Sequence, residues 1–174
     1  MADQPFNLNM HTARLLLREP FFAALSRRID KTASTAIPTA GVRVNPERGQ
    51  FELIYNPEFM ASLSDTHKLG VLMHEFYHII FEHVTGRKPA DGLKRIDNIA
   101  MDLAINGLPE MVGKLPCESD PGPEINGQPM KGVLPGEGMF KDLPSGQSYE
   151  WYLEALKKMG EGKGEGGKGD GQPG

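Results

Sequence analysis

The chain has little cysteine, little aromatic residue and little excess charge. Cys117 is the one cysteine in 174 residues, which excludes an internal disulfide and suits a reducing compartment. Aromatics make up 7% and hydrophobic residues 39%, against 21 glycines and 14 prolines. With so little apolar material and so many chain-bending residues, long irregular stretches are expected beside a modest core. A net charge of −4 argues against a general nucleic-acid binder, which needs a positive surface to neutralise phosphates. No apolar run approaches the length needed to cross a bilayer. The opening Met1-Ala2-Asp3-Gln4-Pro5 lacks the basic segment that begins a secretory signal. The expectation is a cytoplasmic protein with neither a nucleic-acid nor a membrane partner.

Against this plain background stands Val71-Leu72-Met73-His74-Glu75-Phe76-Tyr77-His78-Ile79-Ile80-Phe81. Residues four apart stack on one helical face, so His74 and His78 can aim their imidazoles at a single ion. Glu75 lies about 100° round from His74, close enough to reach a metal-bound water without displacing it. Two nitrogen ligands, a carboxylate base and an open position are what hydrolytic zinc chemistry requires. A chance match to this pattern in a chain of this composition is roughly one in a hundred. The apolar neighbours imply a buried helix, where two histidines and a glutamate are costly unless paired or metal-bound.

The remaining chain is read around that helix. An amphipathic pattern from about His11 to Arg28 is interrupted by Pro20, which kinks or splits it. Residues 41–44 and 50–55, joined by Asn45-Pro46-Glu47-Arg48-Gly49, read as a β-hairpin. An edge strand there either holds an extended peptide beside the metal helix or only closes the core. Asn56-Pro57 starts a short helical turn. Ser64 or Asp65 caps the metal helix, which is expected over about 66–84 with Gly86 ending it. On that helix His67 is about 10 Å along the axis from His74, too far to share an ion, and is expected at the rim. His83, five residues past His78, points elsewhere on a continuous helix; a place behind the ligands or a purely structural role suits it better than that of an alternative ligand.

Residues 93–107 form a second helix with an apolar face and a polar stripe, Asn98, Asp102 and Asn106. Asp102, between Met101 and Leu103, is a carboxylate set in apolar sequence. Two assignments remain: Asp102 as the third ligand, or Asp102 orienting a ligand imidazole with Asn98 nearer the metal. Residues 108–147 are a long irregular Pro/Gly-rich loop expected over or beside the cleft. Within it, Cys117 reads as an incidental lone cysteine, with a thiolate that could close the zinc position as the alternative. Ser148 caps a last helix to about Met159, expected to dock on the core, with Tyr149 or Tyr152 as an oxyanion donor in the alternative. Residues 160–174, rich in Gly, Lys and Glu, read as a flexible tail or linker.

The run His74-Glu75-x-x-His78, His83, then Asn98-Ile99-Ala100-x-Asp102-x-x-Ile105-Asn106 resembles a bacterial and phage family of zincin-like metallopeptidases. Pro38-Thr39-Ala40-Gly41 and Asn56-Pro57-x-Phe59 also look like elements of that family, and the similarity covers roughly residues 10–158. In that family the domain commonly precedes a von Willebrand factor A-like module, which is not in this chain. The resemblance implies one zinc ion held by His74, His78 and Asp102, with Glu75 as catalytic acid and base. It also implies a protein or peptide substrate, a von Willebrand factor A-like module or an ATPase as partner, and the host cytoplasm if the chain is phage-encoded. One departure is Asp97, where the family often has tryptophan.

The expected fold is therefore α+β: a small zincin-like domain over residues 1–159, mainly helical, with a short β-hairpin before the metal-binding helix. The expected function is zinc-dependent hydrolysis of a peptide bond through a metal-activated water. The alternatives are a zinc-stabilised interaction module, silent or activated by a partner, and a regulatory protease that cleaves a repressor. An open fourth position favours an enzyme, a closed four-ligand site the module.

Overall fold

The computed structural model describes residues 20–81, 83 and 94–161. Its elements are α1 (Pro20–Ser26), β1 (Asp30–Ala33), β2 (Ala40–Val44), β3 (Phe51–Tyr55), α2 (Pro57–Ser62), α3 (Asp65–Ile80), α4 (Arg95–Asn106), β4 (Glu124–Ile125), β5 (Gln128–Pro129) and α5 (Tyr149–Glu161). Helices joined to small, separate sheets make an α+β fold, as expected. None of the described helices is long and apolar enough to cross a membrane.

The hairpin forms as β2 and β3, antiparallel with Val42 opposite Leu53. A third strand was not expected: β1 pairs parallel to β3, giving the order β1-β3-β2. Its sequence, Asp-Lys-Thr-Ala, has little strand character of its own, so β3 dictates it. Glu52 ties the three strands together, accepting from Thr32 Oγ1 and Arg43 Nε, each at 2.8 Å. These two donors hold its carboxyl below the usual range.

Asn56 caps α2, its Oδ1 accepting from the Glu58 and Phe59 amides, with Pro57 at the first helical position. Ser64 caps α3 through the His67 amide. Pro20 is the first described residue of α1; the part of the expected pattern before it lies outside the described residues. Phe22, Leu53, Met60, Leu72 and Phe76 are buried in one core between α1, the sheet and α3. A second core joins α4 to α5 through Met101, Leu103, Tyr152 and Leu156. Ile105 of α4 is buried in the first core, and at about 1.5–3 kcal/mol for each large apolar side chain removed from water that burial holds α4 beside α3.

The metal helix is shorter than expected. It ends at Ile80, with Phe81 as cap, instead of continuing to residue 84. Gly86, its expected stop, lies outside the described residues. The stretch read as an irregular loop also carries some order. Its two short strands β4 and β5 are joined by Asn126-Gly127, both at positive φ, as a tight hairpin turn demands. At the C-terminal side α5 runs to Glu161, just into the expected tail; the rest of that tail lies outside the described residues.

Candidate metal centre

Successive turns of α3 place His74 and His78 on one face, and α4 brings Asp102 opposite them. Asp102 Oδ1 lies 3.2 Å from His74 Nε2 and 3.2 Å from His78 Nε2. The two Nε2 atoms are 3.1 Å apart. The three donors therefore form a nearly equilateral triangle. Two imidazole nitrogens and a carboxylate oxygen at these separations suit zinc, whose ligand bonds are about 2.0–2.2 Å, so the residues present fit a zinc ion.

Both imidazoles are held from behind. His74 Nδ1 is 2.6 Å from Asn106 Oδ1, and Asn106 Nδ2 donates to the Val133 carbonyl at 2.7 Å. The second bond settles the amide orientation, so an acceptor faces His74 and Nδ1 must carry the hydrogen. In the neutral, ligating form the lone pair of His74 is then on Nε2, toward the triangle. His78 Nδ1 meets His83 Nδ1 at 3.0 Å. Because α3 has ended at Ile80, His83 folds back, and its backbone amide donates to the His78 carbonyl at 2.9 Å. Its ring lies between Phe81 and Tyr149, supporting His78 and standing outside the triangle.

Without an ion, the three groups polarise one another. Burial alone would lower the pKa of His74, but the hydrogen bond and charge of Asp102 outweigh it and raise it to about 9. Burial would raise Asp102, yet the two imidazoles bring it down to about 2. Glu75 is raised by burial, a rise that the nearby imidazoles partly oppose.

The cluster opens on a cleft of about 310 Å³ lined by the 37–43 segment, Glu75, His78, His83, Asn98, Met101 and Asp102. Asn98, one turn before Asp102, thus lines the cleft. A smaller cavity of about 90 Å³ adjoins the cluster on the side of the 115–133 loop. Cys117 is elsewhere: its Sγ pairs with Ser119 Oγ at 3.2 Å, and it lines a separate cavity. The tyrosines considered as oxyanion donors are engaged, Tyr149 with Asp97 Oδ1 at 2.9 Å and Tyr152 with the Pro144 carbonyl at 2.6 Å. Asp97 also accepts from the Lys94 amide at the start of α4, which gives the residue at the departing position a capping task. His67 is buried instead of at the rim, 3.0 Å from Asp120 Oδ2.

The residue that sequence reasoning left without a task is Asn106. It was visible as the end of the 98-102-106 stripe, but nothing local to α4 points to an imidazole 32 residues earlier.

Two imidazoles and a carboxylate on adjacent helices, open to a cleft, define a candidate metal centre of the His-x-x-x-His type. The chain belongs to a family described as "Putative metallopeptidase domain", whose model matches residues 4–173. No curated protein and no solved structure matches the chain significantly.

Proposed function

We propose that this chain is a zinc-dependent metallopeptidase. The observation that carries the reading is the donor triangle opening on a cleft with Glu75 in its wall. Three protein ligands and an open position are the pattern of catalytic zinc, whereas structural zinc is closed by four. A buried carboxylate beside the first histidine favours hydrolysis, because that chemistry needs a base at this place.

His74, His78 and Asp102 would hold the ion, with Asn106 and His83 keeping the two imidazoles in the ligating orientation. A bound zinc ion supplies Lewis acidity that polarises a carbonyl and acidifies water. Glu75 takes a proton from the attacking water as its oxygen bonds to the carbonyl carbon. As the C–N bond breaks, Glu75 returns that proton to the departing amine. Burial raises the Glu75 carboxyl above its ordinary value, which favours its taking up a proton.

The substrate is a peptide in extended form. Strand β2 borders the cleft and pairs with β3 on one side. Among the described residues no strand pairs with its other edge, so a peptide can add there through backbone hydrogen bonds.

The test is Glu75→Gln. Elemental analysis should find one zinc per chain in both proteins, with hydrolysis of a peptide mixture lost in the variant. Undiminished hydrolysis by Glu75→Gln would remove Glu75 from the mechanism, and loss of zinc from wild type after mild dialysis would remove the metal.

A further inference from the structure

We propose that the smaller cavity beside the cluster is the pocket that selects the substrate residue flanking the scissile bond, and that it takes an aliphatic side chain. The proposal rests on the peptidase reading for where the scissile bond lies. Three observations carry it.

The first is position. The small cavity shares Thr39, Ala40, Glu75 and Asp102 with the large cleft, so the two meet at the cluster and beneath the start of β2. Along an extended peptide, successive side chains leave on opposite faces. A peptide lying in the cleft with a carbonyl at the cluster has a neighbouring side chain beside this second opening.

The second is chemistry. Away from the cluster the wall is Phe59, Val71, Leu115, Pro116, Met130 and Val133, with Gly132 and the exposed Lys131 at its outer edge. An aliphatic side chain entering it leaves water at no polar cost, worth on the order of 10- to 100-fold in affinity. A carboxylate would lose its hydration in an apolar wall beside Asp102 and Glu75.

The third is size. A volume of about 90 Å³ is smaller than the roughly 150 Å³ of a cavity known to take a benzene ring. The space suits a branched aliphatic group better than an aromatic ring. Phe59, Val71, Leu115 and Pro116 are buried, whereas Met130 and Val133 are half-exposed on the loop. The loop therefore sets the width of the pocket.

The experiment uses the zinc-loaded full chain carrying Glu75→Gln, titrated calorimetrically with alanine-rich peptides that differ only in one central Leu, Phe or Asp. Leu should bind at least tenfold more tightly than Phe or Asp. Adding Met130→Ala should bring Phe to within about threefold of Leu; should that variant not fold, Val133→Ala carries the same expectation. Equal binding of the three peptides, or an unchanged Leu/Phe ratio in the widened variant, overturns the pocket. Digestion of the same peptides by wild type separates the two readings. Cleavage at equal rates strikes the pocket and leaves the peptidase. A Leu preference in binding without cleavage strikes the peptidase and leaves the pocket. Failure of all three peptides to bind strikes both.

Discussion

Asn106 presents its amide oxygen to His74 Nδ1 at 2.6 Å and its amide nitrogen to the Val133 carbonyl at 2.7 Å. A hydrogen bond behind a ligating histidine fixes both its tautomer and its tilt, and losing one typically lowers metal affinity about 10- to 100-fold. Asn106→Ala should show a loss of that size in competition with a chromophoric chelator. Asn106→Asp keeps the acceptor toward His74 but sets a second carboxylate oxygen against the Val133 carbonyl, so it should fall between the alanine variant and wild type. Equal affinity for Ala and wild type would deny the amide its positioning role.

The metal-free protein should respond to pH through His74 and Asp102. The folded-state pKa of His74 is raised from 6.5 to about 9, so its stabilising contribution is whole below pH 6.5 and disappears as pH rises through 9. That of Asp102 is lowered from 3.8 to about 2, so its contribution is whole above 3.8 and disappears as pH falls through 2. The two describe one interaction, present in full between about pH 4 and 6.5. Zinc requires a neutral His74, so binding below about pH 9 expels a proton, and affinity should climb about tenfold per pH unit over that interval. Urea unfolding and chelator competition at several pH values check both slopes. Zinc affinity independent of pH between 6 and 8 would contradict the protonated His74.

Gly70 packs against the loop so closely that a Cβ there would fall on the Lys114 carbonyl oxygen, inside van der Waals contact. Alanine is otherwise the better helix former by about 1 kcal/mol. The clash is with backbone, so overpacking should dominate and Gly70→Ala should lose about 2 kcal/mol or more in denaturant unfolding. A stabilised variant would show that the loop is not seated on α3.

Tyr149 donates to Asp97, away from the cluster. Tyr149→Phe should therefore lower stability by about 1–3 kcal/mol, as for a hydrogen bond to a charged group, and leave peptide hydrolysis within about twofold. A large fall in turnover with unchanged stability would restore the tyrosine as an oxyanion donor.

The helices were legible because their signals are local. Ser64 before Asp65, Asn56 before Pro57 and the apolar spacing through 69–80 each act within a few residues. The approach of Asp102 to the two histidines was legible as chemistry, since a carboxylate between Met101 and Leu103 needs a partner, and the structure brings the three groups together. What was hidden depends on contacts across the fold. Strand β1 exists because Phe51–Tyr55 templates it, not because Asp-Lys-Thr-Ala favours extension. The end of α3 at Ile80 precedes any glycine or proline, so periodicity alone carried the helix through His83 and obscured the return of that ring to His78. Burial of His67 beside Asp120 likewise depends on where the 115–133 loop lands.

That loop has a mechanical consequence. Val133 belongs to the wall of the small cavity, and its carbonyl is gripped by the amide that steadies His74. A planar amide does not stretch, so whatever spreads the wall must either break this grip or tug on the imidazole. Occupancy of the cavity and tension on the ion's first anchor are thereby linked through a single side chain.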